Sequence, residues 1–137
     1  MFDWLLVNGA VCVGSGNPWF HADVALQGDR IAAVGRLEGQ EARQRLDARG
    51  LVVAPGFVDI HTHTDFSVYL DPDLPAKTLQ GVTTEVVGQC GHSAAPCPPA
   101  AGERVRACLR RLLGHDLPPW RTVADYLAAL EAQGAAV

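Results

Sequence analysis

The chain has 137 residues, of which 48% are hydrophobic and 19% charged, so it can bury a core and is not a disordered chain by composition. The net charge of −4 at pH 7 excludes the basic surface with which nucleic-acid-binding proteins neutralise phosphates. No stretch approaches the roughly 20 apolar residues of a membrane-spanning helix, and the N-terminus lacks the basic segment and cleavage site of a secretory signal. We therefore expect a cytoplasmic protein with neither nucleic acid nor membrane as a partner.

The first part of the chain predicts short β-strands separated by turns. Gly28 and Asp29 form a predicted two-residue hairpin loop, since glycine readily takes positive φ. The predicted strands are residues 3–8, 10–13, 23–27, 30–34, 46–48 and 51–53. We expect residues 1–54 to form a small antiparallel β domain of the β-sandwich type.

After Pro55 and Gly56 the pattern changes to alternating strands and helices. Thr122 is the predicted N-cap of the last helix, with Asp125 completing a capping box and Gly134 following the helix. The predicted elements are strands at 57–63 and 82–87 and helices at 73–80, 101–113 and 122–133. Such alternation is typical of βα units with a parallel sheet. A complete eight-fold βα barrel needs about 250 residues. We therefore expect an α/β chain in which residues 55–137 are the first βα units of a truncated TIM-like barrel.

The segment Asp59-Ile-His61-Thr-His63 is the strongest chemical signal. Alternate residues of a strand share a face, so Asp59, His61 and His63 are predicted to point to one side, at the carboxyl end where parallel βα folds place their active sites. Two imidazoles at this spacing can both bind one divalent ion. The alternative is that both are surface histidines in a loop. Asp59 on the same face disfavours this alternative, because a buried carboxylate requires a partner such as a metal centre.

The second signal is Cys90, which follows the predicted strand 82–87. A thiolate is a good zinc ligand, and Cys90 lies where it can reach the same site, although a buried, inert cysteine is the alternative. His92 either contacts substrate or stabilises its loop. Asp65 either supports the site or lies on the surface.

The run PGFVDIHTH at 55–63 resembles the opening of the barrel in the metal-dependent amidohydrolase superfamily, which follows a small β unit. The run QGVTTEVVGQCGHS at 80–93 resembles the N-acyl-D-amino-acid deacylase (D-aminoacylase) branch of that superfamily. The resemblance runs through nearly the whole chain, and we identify it as the N-terminal portion of such a protein.

The resemblance implies that His61, His63 and Cys90 are metal ligands for one or two zinc ions. It implies hydrolysis of the amide bond of an N-acyl-D-amino acid to a carboxylate and the free D-amino acid. Asp59, Asp65 and His92 are then candidates to orient the ligands or to contact substrate. The family's general base is expected beyond Val137, so we expect the isolated 137-residue chain to be inactive.

Two other readings remain open at this point. One is a cyclic-amide hydrolase of the same superfamily, of the dihydropyrimidinase or dihydroorotase type, which does not need Cys90. The other is a non-catalytic, truncated remnant of such an enzyme. The sequence leaves the oligomeric state open.

Overall fold

The computed structural model describes residues 1–136, and Val137 lies outside the described residues. The chain divides into two compact units, Met1–Pro55 and Gly56–Val137. No described helix is both long enough and apolar enough to cross a membrane.

The first unit is a five-stranded sheet built around its first strand. Its strands are β1 (Phe2–Val11), β2 (Phe20–Gln27), β3 (Arg30–Gly35), β4 (Ala42–Asp47) and β5 (Val52–Val53). The order is β3-β2-β1-β4, and β5 also pairs with β1. Alternate residues of β1, including Leu5 and Val7, are buried, as the two-residue period of a strand requires. The predicted hairpin at Gly28 is confirmed, because Gln27 pairs with Arg30 across it.

Three predictions for this unit are wrong. The unit is not wholly antiparallel, because β4 and β5 pair with β1 in parallel. β2 occupies one edge of β1. After β3 the chain crosses to the other edge of β1, where β4 runs in the same direction as β1. The described strands also form one sheet rather than a sandwich. Finally, residues 3–8 and 10–13 belong to a single strand, whose register shifts at a bulge where Asn8 takes a φ of 63°.

The second unit begins with two βα units. Its elements are β6 (Phe57–Asp59), α1 (Pro75–Thr78), β7 (Val82–Glu85), α2 (Pro99–Leu113) and α3 (Val123–Gln133). β6 and β7 pair in parallel, as the alternation predicts. The described residues of this unit contain two paired strands, so no barrel closes within them. Gly56 is needed beside this pair, because a Cβ there would collide with the side chain of Thr83.

β6 is shorter than predicted. It ends at Asp59 rather than at His63, because the Asp59 side chain accepts a hydrogen bond from the backbone N–H of His61 at 3.2 Å. This local bond turns the backbone out of the strand. The predicted helix at 73–80 is also shorter, since α1 begins with Pro75 at its first position and Gly81 takes a φ of 83° soon after its end.

The capping prediction for α3 is confirmed. Thr122 accepts a hydrogen bond from the Asp125 N–H at 3.0 Å, and the Asp125 carboxylate accepts one from the Thr122 N–H at 2.9 Å. Gly134 follows the helix with a φ of 80°. The cap fixes the start of α3 so that Tyr126 enters the core.

The core of the second unit joins the two long helices to the loops that follow β6 and β7. Trp120 stacks edge-on against both Tyr69 and Tyr126, with ring centroids 5.0 and 5.1 Å apart. The buried members of this cluster are Val68, Leu74, Ala94, Ala95, Leu109, Leu117, Trp120 and Tyr126. The two loops that carry the chemically distinctive residues are thus packed on one core.

Candidate metal centre

The candidate ligands lie just beyond the carboxyl ends of β6 and β7. His61 and His63 follow β6, and Cys90 lies in a short 3-10 turn, Gln89–Gly91, that follows β7. Parallel neighbouring strands end at the same edge, so these two segments meet there. His61 and His63 are exposed while Thr62 between them is buried, so the alternation predicted from the sequence persists after the strand has ended.

The structure brings His61, His63 and Cys90 together. His61 Nε2 lies 3.2 Å from Cys90 Sγ. One ligand atom from each of the three residues lies within 4.8 Å of the other two. Zinc–nitrogen and zinc–sulfur bonds of roughly 2.0 to 2.3 Å place tetrahedral ligand atoms about 3.3 to 3.6 Å apart, so small side-chain movements suffice to meet that geometry. Two imidazoles and a thiol also form a donor set that suits zinc, so the residues fit the metal.

Cys90 is held in an unfavourable backbone conformation. Its φ and ψ are 57° and 23°, in the left-handed region that side chains other than glycine rarely adopt. Gly88 and Gly91 on either side have φ values of 79° and 72° and supply the sharp turns. Backbone strain of this kind is concentrated at functional sites. Here the turn directs the Cys90 sulfur toward His61.

Gln89 links the two segments. Its side-chain amide donates to the backbone carbonyl of Ile60 at 3.2 Å and lies 3.4 Å from that of Val86. Ile60 directly precedes His61, and Gln89 directly precedes Cys90. The bond to Ile60 therefore fixes the spacing of the two loops that carry the candidate ligands.

An ion-pair cluster is hydrogen-bonded to the segment that carries the histidines. Lys77 Nζ is 2.5 Å from the Asp59 carboxylate and 3.5 Å from that of Glu85, and Thr64 also hydrogen-bonds to Glu85. The Lys77 hydrogen bond and the His61 N–H hold the pKa of Asp59 below its usual range, and the pairing with Asp59 raises the pKa of Lys77. The cluster contains two carboxyl groups and one ammonium group, so its formal charge is net negative, which favours a cation beside it.

Asp59 therefore positions His61 by accepting its backbone N–H, rather than by joining the group of ligand atoms. The sequence prediction missed Lys77 and Glu85. The available signal was Glu85 itself, since a carboxylate that ends a strand of a parallel sheet needs a cationic partner. Nothing in the sequence identified Lys77 as that partner, because its position depends on how α1 packs.

Asp65 is buried and does not lie on the surface. Only 2% of it is exposed, and its carboxylate accepts the backbone N–H of Ala94 at 2.9 Å. Its backbone carbonyl accepts the hydroxyl of Tyr126 at 3.1 Å. Burial raises the pKa of Asp65, opposed by the Ala94 hydrogen bond and by the nearby His63 and His92. Asp65 therefore joins the loop after β6 to the loop after β7 and to α3.

His92 lies at the edge of the candidate centre. Its ring is exposed, and its centroid lies 6.1 Å from that of His63 in an edge-on arrangement. It is not a member of the group formed by His61, His63 and Cys90 among the described residues. His92 therefore lies beside His63 but outside the group of candidate ligands.

Comparison with known proteins agrees with this geometry. Residues 44–136 match the model of the amidohydrolase family. The chain is 46% identical over 131 residues to N-acyl-D-glutamate deacylase, and 46% identical over 136 residues to D-aminoacylase, both of Alcaligenes xylosoxydans xylosoxydans. These alignments cover 96% and 99% of this chain but 26% and 28% of the relatives, so the chain spans about a quarter of their length.

A solved structure supports the same relationship. The N-acyl-D-glutamate deacylase of Bordetella bronchiseptica, complexed with zinc and a phosphonate inhibitor that mimics the tetrahedral intermediate of its reaction, superposes with a TM-score of 0.85 at 42% identity. The superposition covers 98% of this chain and 27% of that one. By its family match, sequence identity and fold, this chain belongs to the D-aminoacylase family of the amidohydrolase superfamily.

Proposed function

We propose that the protein to which this chain belongs hydrolyses the amide bond of N-acyl-D-amino acids at a zinc centre that includes His61, His63 and Cys90. The observation that carries the proposal is the convergence of two imidazoles and one thiol, with ligand atoms within 4.8 Å of one another, at the carboxyl ends of two parallel strands. The 46% identity to two deacylases indicates the substrate class.

Zinc, when bound, polarises the scissile carbonyl and lowers the pKa of water toward neutrality. Hydrolysis adds the oxygen of water to the acyl carbon and breaks the carbon–nitrogen bond, and the amine leaves with a proton. His61, His63 and Cys90 would hold the metal through two neutral imidazoles and one thiolate. Asp59 fixes the His61 backbone, and Lys77 keeps Asp59 ionised in that role.

The negative cluster of Asp59, Lys77 and Glu85 supports the proposal in a second way. It is hydrogen-bonded to the segment that carries the histidines, so its net charge favours retention of the metal.

The test is an assay of the whole protein, loaded with zinc, for amine release from N-acetyl-D-alanine, with N-acetyl-L-alanine as the stereochemical control. Cys90→Ser and His61→Ala should each lower kcat/KM by at least about a hundredfold, as expected for loss of metal-assisted catalysis. Cys12→Ser, in the other unit, is the matched control. If the protein releases amine from neither enantiomer and hydrolyses a dihydropyrimidine ring instead, the cyclic-amide alternative replaces the proposal.

A further inference from the structure

The buried carboxylate of Asp65 has one oxygen without a hydrogen-bond partner. Only 2% of Asp65 is exposed, and its Oδ2 accepts the backbone N–H of Ala94 at 2.9 Å. Its Oδ1 is enclosed and accepts no hydrogen bond from the part of the chain that the structure describes. Buried polar atoms of native proteins are almost always paired, so an unpaired one calls for a donor.

Two histidines flank this carboxylate. Asp65 lies two residues after His63, in the 3-10 turn Thr64–Phe66 that begins at His63, and it binds Ala94, which lies two residues after His92. The rings of His63 and His92 face each other edge-on, with centroids 6.1 Å apart. Burial raises the pKa of Asp65, while the Ala94 hydrogen bond and the charges of both imidazoles lower it. The two rings are therefore the candidate donors for Oδ1.

Metal binding distinguishes the two rings, because His63 belongs to the group of candidate ligands and His92 does not. An imidazole that binds a metal through one ring nitrogen carries a proton on the other, and it almost always donates this N–H to a carboxylate, a carbonyl or water. Among the hydrogen bonds of the described residues, His63 contributes only its backbone carbonyl, which accepts the Phe66 N–H at 3.3 Å. Its ring N–H therefore still needs a partner when the other nitrogen binds zinc.

We infer that Asp65 is the positioning residue of His63, and that its Oδ1 accepts the ring N–H of His63 when the other ring nitrogen holds zinc. The inference rests on the proposed zinc centre and assigns a carboxylate to its second histidine, since Asp59 holds the backbone of the first, His61. Asp65 Oδ2 binds the loop after β7, and the Asp65 carbonyl accepts the hydroxyl of Tyr126. Asp65 thereby fixes the His63 ring relative to the loop that carries Cys90 and to α3.

The unmodified, zinc-loaded whole protein provides the first test. With ¹⁵N-labelled histidine, NMR should show a His63 ring proton at low field that exchanges slowly with water, because a buried carboxylate holds it. His63→Gln identifies the signal by its loss, and His92→Gln should retain it. Zinc binding without such a proton, or a proton that belongs to His92, overturns this inference alone. Failure of the protein to bind zinc overturns the proposed function as well.

The second test measures the Kd for zinc by competition with a chelator. Asp65→Asn keeps an oxygen for the Ala94 N–H but then directs an amide N–H at the ring N–H of His63, so the Kd should rise by about tenfold to a hundredfold. Tyr126→Phe is the matched control, because it removes the hydroxyl that donates to the Asp65 carbonyl and leaves the carboxylate intact. It should lower the free energy of unfolding without changing the Kd. An unchanged Kd in Asp65→Asn, or an equal rise in Tyr126→Phe, overturns the inference.

Discussion

His61 Nε2 lies 3.2 Å from Cys90 Sγ, although 29 positions of the chain separate the two residues. The contact exists because β6 and β7 run in parallel and end together, and because the backbone at Cys90 turns back toward β6 in the left-handed conformation. His63 lies close to both atoms, so the three side chains form one group.

The first prediction concerns the strain at Cys90. Cys90→Gly and Cys90→Ala both remove the thiol, but only glycine adopts a φ of 57° without a steric penalty. In the metal-free protein, Cys90→Gly should have a free energy of unfolding about 1 kcal/mol higher than Cys90→Ala. Urea denaturation of the two variants measures the difference, and an equal stability would mean that the turn relaxes when the sulfur is absent.

The second prediction concerns the pKa of Asp59. Lys77 holds that pKa low, so the pairing stabilises the folded state above pH 3.8 and this contribution disappears as the pH falls through the lowered pKa. Lys77→Met should move the pKa of Asp59 upward, and Lys77→Arg should move it less because the cation is retained. A carboxyl-carbon NMR titration of selectively labelled aspartate measures the pKa of Asp59. The same Asp59 pKa in Lys77→Met and in the unmodified protein would show that Lys77 does not hold it low.

The third prediction concerns Asp65. Asp65→Ala leaves the Ala94 N–H without its partner and should lower the free energy of unfolding by about 1 to 3 kcal/mol. Because burial raises the pKa of Asp65, its contribution is fully present below pH 3.8 and is lost as the pH rises through the higher folded value.

Asp65→Asn removes this titration and leaves a side-chain oxygen able to accept from Ala94. The stability of Asp65→Asn relative to the unmodified protein should therefore rise with pH above 3.8, as measured by urea denaturation over a pH series. Asp73→Asn is the matched control, because Asp73 is exposed. A stability difference that is flat with pH would show that the Asp65 carboxylate is not desolvated.

The fourth prediction concerns the start of α3. Thr122→Ala removes the acceptor for the Asp125 N–H and should cost about 1 kcal/mol, whereas Thr122→Ser keeps the hydroxyl and should cost much less. Hydrogen exchange at the amides of the first helical turn locates the effect. Equal exchange rates in the two variants would mean that packing of Tyr126, rather than the cap, fixes the helix start.

The elements that depend on local chemistry could be predicted from the sequence. The hairpin at Gly28 and the cap at Thr122 are determined by residues two or three positions apart, and both were predicted correctly. The parallel pairing of β6 and β7 followed from strand–helix alternation. The spacing of His61 and His63 predicted that both point to one side. Both are exposed and Thr62 between them is buried, although the strand itself ends at Asp59.

The features that the sequence did not predict depend on contacts between residues distant in sequence. The parallel pairing of β4 with β1 requires a free edge on β1, which local pattern does not reveal. The ion pairs of Lys77 likewise depend on where α1 packs, and the burial of Asp65 depends on Ala94 and Tyr126. The sequence identified the three candidate ligands, but the residues that support them became visible only in the fold.

The absorption spectrum of the cobalt-substituted whole protein tests directly whether His61, His63 and Cys90 form one metal centre. A thiolate bound to cobalt produces a charge-transfer band in the near ultraviolet, so we expect this band in the unmodified protein and in Cys12→Ser. We expect the band to be lost in Cys90→Ser, and we expect His61→Ala and His63→Ala to weaken cobalt binding. A band of unchanged intensity in Cys90→Ser would contradict the claim that His61, His63 and Cys90 form one metal centre.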